Sequence, residues 1–161
     1  MLGVSTTDDG RLKIGKAMLF LTYVTFATLL IIALLHVIWG LGILWPLKDE
    51  KSLVNAIAGF QAVEKMPPAA ASFFVAFLVL VAAAISLDLG RKVLIFPPKI
   101  ALIGGAGVAI VFLSRGLLGY TRFWTKLTPE EPFRSLDSVL YSPLCLALGV
   151  SFSALAWSFG T

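Results

Sequence analysis

Four long apolar runs, separated by short polar stretches, set the pattern of this chain. The first, Ala17 to Trp45, holds no Asp, Glu, Lys or Arg. It is well beyond the roughly 20 residues that an α-helix needs to cross a bilayer core. Pro46 closes it. From Lys48 to Met66 the ends are polar and Leu53, Ile57 and Phe60 recur at helical spacing, with Val54 and Val63 beside them. That predicts a short amphipathic helix lying on the membrane surface or capping a bundle. Pro67-Pro68 opens a second span, since the first N–H groups of a helix lack intrahelical partners anyway. Pro97-Pro98 precedes the third. Thr128-Pro129-Glu130-Glu131 pairs an N-cap residue with Pro at N1 and acids in the first turn, and predicts a helix start. The predicted spans are 17–45, 68–87, 100–120 and 139–159.

Composition strengthens this picture. Hydrophobic residues make up 58% of the 161 positions and charged residues 14%, whereas a soluble domain carries roughly a quarter charged. The charges gather between the apolar runs. The expected fold is therefore all-α: one polytopic membrane domain, 1–161, built as a four-helix bundle. The first run begins after Lys16 and is too long for a signal-peptide core, so it is expected to stay as a helix. Small residues line three of the predicted helices: Ser72, Ala76, Ala83 and Ser86 on the second, Gly105, Ala109 and Gly116 on the third, Cys145, Gly149 and Ser153 on the fourth. In lipid such stripes mark packing faces, because close backbone approach and dispersion hold helices together.

Charge placement says less. Lys and Arg number three in the tail, three in the first loop, three in the second and four from Arg115 to Arg134, a near balance under the positive-inside rule. The second link packs its three basic residues into a dozen positions, and this favours both termini in the cytoplasm of a bacterial plasma membrane. No dense basic run points to nucleic acid. Membrane lipids are the expected partners, with a membrane-protein partner or a second copy open. The lone Cys145 excludes an intramolecular disulfide, a redox pair and a multi-Cys metal site; no metal and no cofactor are expected.

Span counting brings the unusual side chains to one mouth of the bundle. His36, Trp39, Arg122, Trp124, Asp137 and Tyr141 form the candidate ligand-binding set. His36 is the only histidine, on a mildly polar face with Thr25, Thr28, Ile32 and Trp39, and an imidazole at membrane depth requires a polar partner. Asp137 or Tyr141, at the start of the fourth helix, is the expected source. Arg115, Arg122 and Arg134 with Glu130, Glu131 and Asp137 are expected to form an ion-paired rim or to bind an anionic headgroup, whose oxygens suit an arginine fork, with loop stitching and interfacial snorkelling as the structural alternative. No carboxylate falls inside a predicted span, which counts against proton-coupled transport.

Two motifs, His36-Val37-Ile38-Trp39-Gly40 with Trp45-Pro46, and Phe133-Arg134-Ser135-Leu136-Asp137 followed by Tyr141-Ser142-Pro143-Leu144-Cys145, resemble a family of small bacterial integral-membrane proteins, domain of unknown function 3995. The resemblance covers nearly the whole chain and implies a four-helix membrane protein. It carries no activity and no catalytic residue. Small quinone reductases match poorly, because their paired cysteines are absent. The expected function is that of a non-enzymatic accessory or assembly subunit of a larger membrane complex, which the small-residue stripes favour; the alternative is a lipid-, isoprenoid- or quinone-headgroup-binding protein, an enzyme or not, using the polar mouth.

Overall fold

The computed structural model describes residues 6–63 and 65–160, with side chains from Gly10 onward. The first five residues of the polar tail, and Glu64 within the predicted amphipathic stretch, lie outside the described part. The described residues are all-α. In chain order they form α1 (Thr6–Gly40), α2 (Glu50–Ile57), α3 (Ala69–Arg91), α4 (Pro98–Leu118), α5 (Arg122–Leu127), α6 (Phe133–Leu136) and α7 (Ser142–Gly160). A π-helical turn, Asp137–Tyr141, joins α6 to α7, so the fourth membrane-length segment is Phe133–Gly160. Segments Gly10–Gly40, Ala69–Arg91 and Pro98–Leu118 are also long and apolar enough to span.

The element bounds differ from the expected ones for local reasons. The first helix starts before the charges, at Thr6, and stops at Gly40, where Gly42 turns the chain at φ +77°. Its 35 residues extend about 52 Å at 1.5 Å each, more than a bilayer core of about 30 Å. The amphipathic helix is shorter than Lys48 to Met66. Asp49 caps it, accepting the Ser52 N–H at 2.8 Å, and this bond holds its exposed carboxyl below the usual carboxylate range. It ends before Gly59, at φ +65°. Leu53, Val54 and Ala56 are buried, so α2 caps the bundle and does not merely rest on a lipid surface.

Thr128 does not begin a helix. It is the C-cap of α5, its hydroxyl donating to the Trp124 carbonyl at 2.9 Å. The next helix starts at Phe133 instead. Phe133 is buried and packs where a side chain on Gly59 would stand, and this tertiary contact overrides the local start signal.

Two helix pairs make the bundle: α1 packs most closely on α3, and α4 on α7, with lighter contacts from α3 to α4 and α7 and from α1 to α7. The small-residue stripes sit in these seams. A Cβ on Gly116 would lie 2.9 Å from the backbone nitrogen of Leu146, and one on Gly149 equally 2.9 Å from that of Leu113. Hence α4 and α7 meet backbone to backbone, each glycine admitting the other helix. Gly105 is the corresponding gap toward α3, where a Cβ would come within 2.5 Å of the Leu89 Cδ1. Leu29, Ile85, Leu89, Leu148, Phe152 and Leu155 fill the core, and the Phe112 and Phe152 rings stack at 6.3 Å. Large apolar side chains such as Phe20, Phe74, Phe77, Ile103 and Trp157 face outward, as lipid-facing residues do.

Gly116→Ala and Gly149→Ala are each expected to lower the unfolding midpoint in detergent, by about 1–3 kcal/mol as overpacking does. Gly105→Leu should act likewise. Gly107, with nothing within 4 Å of a built Cβ, accepts alanine with no loss, alanine being the better helix former. Leu80→Ala is mild, because Leu80 is 44% exposed. A Gly116→Ala midpoint equal to wild type contradicts the close approach of α4 and α7.

Candidate functional site

The first and third loops dock at one end of the bundle. The Glu130 N–H donates to the Gly59 carbonyl at 3.2 Å, and the Tyr141 hydroxyl donates to the Ala56 carbonyl at 3.0 Å. Phe60 meets Trp124 edge-on at 6.2 Å between ring centroids. This is the mouth at which span counting gathers the candidates.

Its centre is an ion pair. Arg115, near the end of α4, places Nη2 2.6 Å from Asp137 Oδ1. The other carboxylate oxygen accepts the Trp124 indole N–H at 3.0 Å. The guanidinium carbon in turn lies 4.7 Å from the centre of the Trp124 ring. Asp137 is 3% exposed, so both oxygens need donors, and both have them. Three local features produce this geometry. The π turn carries Asp137 and Ser142 onto the α4 face. Gly119 has no side chain where Ser142 and Asp137 enter. Thr121 caps α5, accepting the Trp124 N–H at 3.2 Å, and so folds Trp124 back over the pair.

Two cavities flank the pair. A groove of about 420 Å³ runs between α1 and α7, lined by apolar residues such as Ile31, Ile32, Leu140, Leu144 and Leu148. At one end it meets His36, Trp39, Arg115 and Tyr141. A polar vestibule of about 320 Å³ lies on the loop side, lined by Trp124, Thr128, Glu131, Arg134, Asp137 and Ser138 among others. The six candidates thus do not share one pocket: His36, Trp39 and Tyr141 line the groove, while Trp124 and Asp137 line the vestibule. Arg122 is exposed at the start of α5 and lines neither.

The structure corrects several further expectations. His36 finds its partner on its own helix: Nδ1 lies 2.8 Å from the Ile32 carbonyl oxygen, and its ring sits 5.1 Å from that of Trp39. The turn-to-turn geometry of a helix supplies this acceptor without help from α7. The expected rim reduces to one pair among the described residues, since Arg122 and Arg134 have no carboxylate within reach. Carboxylates do occur inside the membrane-length helices. Asp137 is one. Asp88, at the end of α3, is another, 1% exposed and accepting the Ile95 and Phe96 N–H groups at 2.7 Å each. No group of His, Cys, Asp and Glu among the described residues is arranged to hold a metal ion.

Arg115, a member of the central ion pair and of the groove's lining, is the residue that the candidate set lacks. Its signal was in the sequence: it is the only charged residue in the run 100–120, and a charge inside a span is a functional marker. Arg115→Met or Asp137→Asn, each leaving one member unpaired, is expected to destabilise the protein by up to about 3–5 kcal/mol, less where water reaches the Arg115 side chain, which is 27% exposed. The double variant should lose less than the sum. Detergent unfolding of the full cycle checks this; losses that add within about 0.5 kcal/mol contradict a coupled pair.

Neither a curated protein nor a solved structure matches the chain. A family described as "Protein of unknown function (DUF3995)" matches residues 29–152, from the latter part of the first membrane-length helix into the fourth and across both docked loops, and the chain belongs to that family.

Proposed function

We propose that this protein binds a hydrocarbon-chain amphiphile of the lipid or isoprenoid type in the groove between α1 and α7. The headgroup lies at the end formed by His36, Arg115 and Tyr141. The observation that carries this reading is the groove itself: about 420 Å³, within the size of ordinary ligand clefts, mostly apolar along its length, where Thr28 and Cys145 are the polar exceptions, with His36, Arg115 and Tyr141 gathered at one end. Trp39 flanks the chain near the head.

The alternative, an accessory subunit of a larger complex, drew its support from the small-residue stripes. Gly105, Gly116 and Gly149 all face neighbouring helices of the same chain, so those positions are occupied and argue for no outside partner. Ile31 and Leu140 are 62% and 50% exposed and line the groove, so a larger side chain there fills it without disturbing the core. Ile31→Trp and Leu140→Trp are expected to strip a copurifying amphiphile from gently solubilised protein, as read by mass spectrometry, while leaving the unfolding midpoint within a few degrees. An unchanged lipid complement in both variants rejects the reading.

We further propose a bacterial plasma-membrane location with both termini in the cytoplasm, the docked loops and the groove's polar end lying toward the outside. Single cysteines at Lys48, Lys92 and Lys126, in a Cys145→Ser background, are expected to react with an impermeant reagent on intact cells at 48 and 126 only. Labelling at 92 alone reverses the orientation; equal labelling at all three contradicts the four-span topology.

A further inference from the structure

The Arg115–Asp137 pair is the partition between the two cavities: Arg115 lines the apolar groove and Asp137 the polar vestibule. The groove's head end therefore presents a cation whose charge is already balanced from behind. Among the described residues, Arg115 is the only Lys, Arg, Asp or Glu lining that groove.

The hydrogen-bonding capacity of the same end is equally defined. A guanidinium has five N–H donors, and those of Arg115 engage Asp137 at 2.6 Å and Ser142 at 3.5 Å, so others remain. His36 Nδ1 contacts a carbonyl oxygen, which carries no proton, so Nδ1 holds the N–H, and in that tautomer Nε2 is an acceptor. Tyr141 donates its only hydroxyl proton to the Ala56 carbonyl, which leaves its oxygen to accept. The residues that line this end thus carry free donors on one side chain and acceptors on two. A hydroxyl both donates and accepts, and matches this set. A carboxylate or a fully ionised phosphate only accepts. It would oppose two acceptors and add a third charge to a balanced pair at the membrane-side wall, where charges are poorly screened.

We infer that the groove selects an uncharged, hydroxyl-bearing headgroup over an anionic one, and that Asp137 sets this specificity by balancing Arg115. The inference rests on the groove-binding reading above and names its ligand class.

The test uses the full chain in phosphatidylcholine nanodiscs with two probes that differ only in the phosphate: a monoacylglycerol and a lysophosphatidic acid, both brominated on the chain. Quenching of the Trp39 fluorescence, identified against Trp39→Phe, reports occupancy of the groove. Wild type is expected to prefer the monoacylglycerol by about tenfold or more, about 1.4 kcal/mol for each factor of ten. Asp137→Asn, which leaves Arg115 unbalanced, should bring the ratio to unity or below, and His36→Phe should weaken the monoacylglycerol alone. Equal binding of the two probes to wild type, or tighter binding of lysophosphatidic acid, overturns the inference even if Asp137→Asn does not fold. A wild-type preference that persists in a folded Asp137→Asn variant overturns the role of Asp137. Quenching by neither probe, or quenching that Ile31→Trp does not reduce, instead removes the groove-binding reading.

Discussion

A carboxylate and a guanidinium placed at the mouth of a membrane bundle must satisfy each other, and much of the fold serves that requirement. Asp137 has almost no contact with solvent, and an unpaired charge in such a site costs several kcal/mol. Both its oxygens are engaged, one by Arg115 and one by the Trp124 indole. The pairing fixes more than two side chains. The π turn puts Asp137 on the α4 face, Gly119 leaves the room it occupies, and the Thr121 cap returns α5 across the top. π turns recur at functional sites, and here the turn re-aims the one acid that the ion pair needs.

Elsewhere the bundle follows the logic of lipid as solvent. Burying apolar side chains gains little when the surroundings are equally apolar, so the helices associate where small residues let backbones approach. The Gly116 and Gly149 seam locks α4 to α7, and Gly90 makes room for Thr22 between α3 and α1. The contact between α1 and α7 is lighter and lacks such a seam. A groove remains where that contact is light, and its polar end coincides with the ion pair because Arg115 is in its lining.

The charge balance bears on the ligand proposed for the groove. A free arginine at the end of an apolar cleft is a site for phosphate or carboxylate, since its fork matches their oxygens. An arginine already paired with a buried carboxylate is an oriented set of donors with no net charge to offer. His36, its Nδ1–H directed to its own helix, adds an acceptor where a second donor would suit an anion. The chemistry of the site thus follows from which partners the side chains take inside the fold, beyond which residues are present.

The sequence alone determined the membrane class, the number of long helices and the gathering of polar side chains at one mouth. These depend on hydropathy, length and the parity of crossings, all properties of the linear chain. It also marked Gly105, Gly116 and Gly149 as packing positions, because small residues at helical spacing have few other uses in lipid. Tertiary structure alone decided the partners. Thr128 carries the local chemistry of a helix start, yet closes α5, because burial of Phe133 against Gly59 sets where the next helix begins. Arg122 and Arg115 carry the same side chain, but only Arg115 lies on the helix face that meets Asp137. Whether His36 reaches across the bundle or back to Ile32 depends on rotamer and on the distance between helices, and neither is written in residue order. Likewise, a π turn adds one residue to a single turn and rotates everything before it, a shift that no periodicity in Phe133 to Gly149 discloses. Such choices turn on contacts between residues far apart in the chain, where small differences in distance decide which of several chemically equivalent partners is taken.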